Sequence, residues 1–239
     1  MTTIASRVRG NLPRNLSLAF IAAAMVANMF FIFMFAPTEA ESGHVQRIMY
    51  IHVPMAWLAF LAFFVVFCGS VMYLWKRLEK WDALASSAAE LGIIFTTLVL
   101  ITGPIWAKPV WGIWWTWDPR LAATLVLWLI YVGYLMLRAY SANRVQGATF
   151  SAVLGIVGFI DVPIVYFAVD WWRTQHQRLV LGGLSLESDL HPDMAITLLF
   201  SVIAFTLLFV FLLRQRMSLK RVERGLLEMK EDAVISAER

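Results

Sequence analysis

Residues 48–75 read IMYIHVPMAWLAFLAFFVVFCGSVMYLW, without a single Asp, Glu, Lys or Arg. At about 1.5 Å per residue, roughly 20 helical residues cross the ~30 Å hydrocarbon core of a bilayer, so this stretch is long enough to span it. Uncharged stretches of similar kind lie at 15–38, 91–107, 121–137 and 194–213, and a sixth, about 147–169, is interrupted only by Asp161. Helices that are apolar on every side cannot all hide in one small soluble core. The chain is therefore expected to be an all-α, polytopic membrane protein. Its six transmembrane helices are placed at about 16–36, 51–75, 87–106, 121–138, 147–169 and 194–213.

Composition agrees with that reading. Of 239 residues, 60% are apolar and 15% charged, with a mean hydropathy of +0.70. A soluble domain carries roughly 25% charge. Arg7, Arg9 and Arg14 precede an apolar run longer than a signal-peptide core, and no A-x-A-like site ends it, so the first run is read as a span. The single cysteine, Cys68, lies inside the second span. That excludes an internal disulfide, a C-x-x-C redox pair and a C-x-x-C-H haem attachment site. No linker or repeat divides the chain, so 1–239 is taken as one membrane domain with 214–239 as its tail. In that tail Leu219, Val222, Leu226 and Met229 recur at helical spacing, which suits a short surface or partner-binding helix.

Lys and Arg set the orientation. One side gathers Arg7, Arg9, Arg14, Lys76, Arg77, Lys80, Arg138, Arg144 and the basic residues of 214–239; the other has Arg47, Lys108, Arg120, Arg173 and Arg178. The richer side is read as cytoplasmic, which puts both termini there. The pI near 9.4 then calls for membrane lipid, not nucleic acid, as the partner of the excess charge.

The other side carries the chemistry. Of eleven tryptophans, Trp57, Trp106, Trp111, Trp114, Trp115, Trp117, Trp171 and Trp172 lie at or near it. An aromatic belt places Trp at both interfaces. It does not call for the density of KPVWGIWWTWDPR (108–120). As a helix, this segment would set Trp111, Trp114, Trp115 and Asp118 on one face. As an extended segment, it would align Trp111, Trp115 and Trp117. Either way an aromatic wall at the membrane surface results, suited to a large planar apolar ligand. Asp118 and Pro119 also form an N-cap and first helical residue for the fourth span.

All four histidines, His44, His52, His176 and His191, fall on this outer side. His52 opens the second span, and His176 follows Trp171 and Trp172 by about one helical turn. Two imidazoles at one depth beside a tryptophan wall point to axial ligation of a haem iron. His191, before Pro192 and Asp193, suits a turn or cap better, and His44 is the weaker candidate. Arg47 and Arg120, together with the N-terminus of the fourth span, are candidates for the haem propionates.

At these residues the sequence resembles the CcmC family, the haem-handling membrane subunit of system I cytochrome c maturation. Trp111, Gly112, Trp115, Trp117 and Asp118 match its tryptophan-rich "WWD" signature, with Trp114 inside it. YIHVPMAW and VDWWRTQHQ match the flanking pieces, with His52 and His176 at the two haem-binding histidines. The resemblance implies haem, b-type and non-covalently held, at the periplasmic face of the bacterial inner membrane. It also implies delivery to the periplasmic haem chaperone CcmE, within an ABC-type complex with CcmA, CcmB and CcmD. The chain has no G-x-x-x-x-G-K-[ST] loop, so nucleotide chemistry would belong to a partner, and no enzymatic activity of its own is expected. Other readings are a haem channel or synthase-like component of another maturation system, a b-type electron-transfer cytochrome, and a secondary transporter hinted at by Asp161 and Pro163. An intramembrane Asp161 is a functional suspect, or equally one end of a helix–helix hydrogen bond.

Overall fold

Caps and prolines set the helix boundaries in the structure, a computed structural model that describes residues 2–172, 174–176 and 190–237. Residues 173 and 177–189, Arg173 and Arg178 among them, lie outside the described residues, as do Arg239 and the side chains of Arg7 and Arg9. Helix α1 (Thr2–Phe30) runs into a π-helical turn, Phe31–Phe35, closed by the Ala36 N–H donating to the Phe31 carbonyl at 2.8 Å. A tight turn follows, in which Gly43 takes φ 60°. Its N–H donates to the Glu39 carbonyl at 3.1 Å. The 3-10 turn His44–Ile48 then leads into α2 (Met49–Lys76), which ends on Arg77 with a left-handed φ of 53°. Helix α3 (Glu79–Trp111) ends on Gly112 at φ 77°, where the Gly112 N–H donates to Lys108 O at 2.9 Å. Glycine adopts that backbone without a Cβ clash.

Asp118 caps α4 (Pro119–Tyr140), accepting from the N–H groups of Arg120 and Leu121 at 2.9 and 3.0 Å. Asn143 does the same for α5 (Arg144–Phe159). α5 gives way at Ile160 to α6 (Asp161–Trp171). The cause is Pro163, which has no N–H for the Phe159 carbonyl and disfavours helical geometry just before it. The fifth span is thus two helices in series. Helix α7 (Pro192–Ala237) does not stop at 213; it continues through the polar tail.

Six helical stretches are long and apolar enough to cross a membrane: Arg14–Phe35, His44–Lys76, Glu79–Trp111, Pro119–Tyr140, Arg144–Trp171 and Pro192–Lys230. The protein is an all-α, multi-pass membrane protein. Helix α2 is the centre, packed against α3, α5 and α7. Small residues allow these approaches, as expected where lipid removes the hydrophobic drive between helices. Gly92 of α3 is the tightest case: a Cβ there would fall 2.5 Å from the Phe63 ring, which stacks on Tyr131 at 3.8 Å. Hydrogen bonds cross other interfaces of the bundle, α7 to α1 from Ser201 to Asn28 at 2.8 Å, α4 to α3 from Trp128 to Thr97 at 2.8 Å, and α4 to α5 from Tyr131 to the Gly155 carbonyl at 3.1 Å.

The two ends of the bundle differ in kind. Where α2 passes to α3, Arg138 holds Asp82 through two bonds of 2.5 and 2.8 Å. Glu90 takes both Arg216 and Lys220 of α7, and Arg224 pairs with Glu79. These pairs fasten the extension of α7 to α3. At the opposite end lie the histidines, a cavity and the tryptophans of 106–117 and 171–172.

Candidate functional site: a cavity shared by two histidines

The cavity measures about 1470 Å³, counting the space at its open mouth. Its walls come from α2 (His52, Val53, Ala56, Phe60), α3 (Thr96, Leu100, Gly103, Trp106, Trp111), α4 (Arg120, Leu121, Thr124), α6 (Val165) and α7 (Leu198), with His176 beside them. Alanine and glycine at helix–helix positions leave the room; branched and aromatic side chains make the lining apolar. Two imidazoles and one guanidinium are its ionisable groups among the described residues. Binding sites commonly have this make-up: mostly apolar walls with a few placed polar groups.

His52 stands one turn into α2, beside Pro54. Its Nδ1 lies 2.8 Å from Thr102 Oγ1, and its ring meets Trp106 edge-on at 5.8 Å. His176 belongs to no helix: α6 ends at Trp171, the backbone of Trp172 is extended, and residues 174–176 form a bend. The expected one-turn spacing from Trp171 and Trp172 is therefore replaced by a fold-back. It seats the ring edge-on against Trp111 at 5.3 Å, with Nδ1 3.4 Å from Asp118 Oδ2. Burial and the Arg120 charge push the His176 imidazole below its ordinary value, with Asp118 opposing them. The net effect favours the neutral ring, the form able to ligate a metal.

Segment 111–118 is neither the helix nor the extended strand considered from sequence. Trp111 is the last residue of α3, Gly112 turns the chain, and residues 113–118 are irregular up to the Asp118 cap. Trp114 and Trp115 join Trp111 and His176 around a smaller recess that adjoins the main cavity at Gly103, Ala107 and Leu121. Trp117 meets Trp115 edge-on at 5.7 Å and points outward, 76% exposed. Instead of one flat wall, the indoles form an inner group at the cavity and an outer one facing away. Trp171, stacked on Phe167, and Trp172 are exposed and do not line the cavity.

The arginines divide likewise. Arg120 is only 9% exposed and lies in the cavity wall. Arg47 lies outside that wall and donates to the carbonyls of Ile32, Phe33 and Ala36 at 2.7, 2.5 and 3.5 Å, closing the end of the first span. His191 accepts from the Asp193 N–H at 3.3 Å at the head of α7, a capping arrangement, and His44 opens the 3-10 turn. Asp161 sits at the α5–α6 break, its Oδ2 buried without a hydrogen-bond partner among the described residues. Thr102 and Trp106 touch His52; Trp106 stands out in the sequence only as one of the outer-side tryptophans, and Thr102 carries no signal there. Their spacing of four marks one helix face, and only the fold shows that this face meets the histidine.

The model of the family described as "CcmC: Heme exporter protein C" matches residues 3–231. The chain belongs to the CcmC family. Among its relatives, the Heme exporter protein C of Bradyrhizobium diazoefficiens is 42% identical over 180 residues, covering 74% of this chain and 67% of the relative. That of Haemophilus influenzae is 35% identical over 201 residues, covering 83% and 78%. That of Escherichia coli strain K12 is 33% identical over 201 residues, covering 82% and 80%. The family fits the six-span architecture, and the range its model matches takes in His52, the tryptophans and Arg120.

Proposed function

We propose that this chain binds haem in the cavity between His52 and His176 and delivers it to a haem chaperone during c-type cytochrome maturation. The observation that carries the reading is the convergence of the two imidazoles, from sequence positions far apart, on the wall of one apolar cavity. A bis-imidazole pair fills both axial positions of a haem iron, and an apolar, indole-lined surround suits the porphyrin. The residues present fit such a cargo. His176 Nδ1 and Trp115 Nε1 are buried without hydrogen-bond partners among the described residues, and Arg120 supplies a cation at the wall. Trp111, Trp114 and Trp115 line the recess, Gly112 turns the chain between them, and Asp118 stands beside His176; Arg47 could reach a propionate only by leaving the carbonyls of the first span.

The names of the relatives speak of haem export. Family membership and the lysine and arginine distribution support a site on the periplasmic face of the inner membrane, with both termini cytoplasmic. The haem is held non-covalently, as a b-type cargo that must leave. CcmE is the recipient; CcmA, CcmB and CcmD complete the complex, and ATP is spent in the partner. The chain's own work is to bind, orient and release, with no bond-making chemistry assigned to it. The outward indoles Trp117, Trp171 and Trp172 offer the docking surface for the recipient.

The test uses membranes containing the whole partner set and follows haem fixed to CcmE on a denaturing gel. Wild type should load the chaperone. Trp117→Ala should lower loading severalfold while haem bound to this chain stays unchanged. Absence of loading by the wild type, with haem bound, would overturn the delivery role.

A further inference from the structure

Thr102 Oγ1 lies 2.7 Å from the Leu98 carbonyl of its own helix and 2.8 Å from His52 Nδ1. A threonine hydroxyl has one proton to donate and lone pairs to accept with. The Leu98 carbonyl can only accept, so the Thr102 proton goes there, the usual back-bond of a helical threonine. Thr102 Oγ1 is then left as an acceptor towards His52. A neutral imidazole carries its single N–H on one nitrogen only, so the acceptor selects the tautomer with the proton on Nδ1.

We infer that Thr102 is a positioning residue: anchored on the Leu98 carbonyl, it fixes the His52 ring with Nδ1–H held by α3 and the Nε2 lone pair turned to the cavity for a metal. The surroundings support this. Trp106, one turn further along α3, meets the His52 ring edge-on, and Gly103 lies beside its Cε1, where an added Cβ would stand at 3.4 Å. Residues 102, 103 and 106 thus form a cradle on α3 for a ring carried by α2. His176 has no equivalent: its Nδ1 contact with Asp118 is 3.4 Å and lacks hydrogen-bond geometry. The tautomer follows from the hydrogen bonds alone; its purpose rests on the haem reading above.

The experiment uses the full chain, haem-free, in lipid nanodiscs with nitrogen-15 histidine, the His52 signals being identified by their loss in His52→Ala. Wild type should show His52 protonated on Nδ1 and bare on Nε2. Thr102→Val, nearly the same shape, should lose that preference, and its haem affinity should fall by roughly tenfold to a hundredfold, as for other partners of metal-ligating histidines. Thr102→Ser should restore both; Thr102→Ala serves where the valine variant does not fold. A wild-type His52 protonated on Nε2, or an unchanged tautomer in both the valine and alanine variants, would overturn the assignment. The expected tautomers in a wild-type protein that takes up no haem would uphold Thr102 as the tautomer-setting residue and remove the haem reading instead.

Discussion

At Asp118, Oδ1 accepts the N–H groups that open α4, while Oδ2 accepts from Thr116 Oγ1 at 3.2 Å and lies 3.4 Å from His176. The cap is local and readable from Asp-Pro; the histidine contact joins residues 118 and 176 and has no mark in the sequence. Arg47 shows the same limit from the other side. Its carbonyl partners lie 11 to 15 residues upstream, so an outer arginine beside a histidine gives no hint that a π-helical turn needs closing. Glu39 gives a prediction at this scale. Its carboxylate accepts from the Ser42 hydroxyl at 2.5 Å and from the N–H groups of Glu41 and Ser42 at 3.0 and 2.6 Å. These bonds, the Ser42 hydroxyl's foremost, lower its pKa from 4.5 to about 2. Because the folded value is depressed, the turn keeps its full support above the ordinary carboxylate value of 4.5 and loses it progressively as pH falls from there through about 2. A carbon-13 titration of the Glu39 carboxyl checks this; a midpoint near 4.5 would rule out the turn's bonds.

At the level of helices, the α2–α3 contact is the sharpest to test. Phe63 is fully buried, stacked on Tyr131, and has no open side to move to when Gly92 gains a Cβ. Gly92→Ala should cost about 1–3 kcal/mol through overpacking. The thermal midpoint in detergent should drop and recover in part when Phe63→Leu is added, since touching residues couple. An unchanged midpoint for Gly92→Ala alone would show that the helices stand further apart. The six apolar runs were legible because length and missing charge suffice to mark a span. The finer breaks were partly so: Asp161 and Pro163 flagged the fifth span, and the structure turns that flag into the α5–α6 junction at Ile160. Segment 111–118 resisted, because the Gly112 turn splits it between the end of α3 and an irregular run, and neither period of a regular element applies. The tail continues α7 because Arg216, Lys220 and Arg224 find carboxylates on α3, a pairing 126 to 145 residues apart in sequence.

Across the whole molecule, polarity is sorted to the two ends: ion pairs that bind helices together at one, and histidines, indoles and an apolar cavity at the other. From sequence the site looked like a ledge on the membrane surface. The fold instead recesses the candidate site between α2, α3, α4 and α6, with Trp117 left outside as an exposed ring. On the proposed haem reading that depth matters: the recess would shield an iron from water, while the open mouth and the position of His176 outside any helix would leave a way out. The most direct measurement is electron paramagnetic resonance of the ferric haem complex of the purified chain, comparing wild type with His52→Ala and His176→Ala. The account predicts a low-spin, two-imidazole signal in the wild type that becomes high-spin, with weaker haem retention, in each single variant. Either variant keeping the wild-type signal would contradict it.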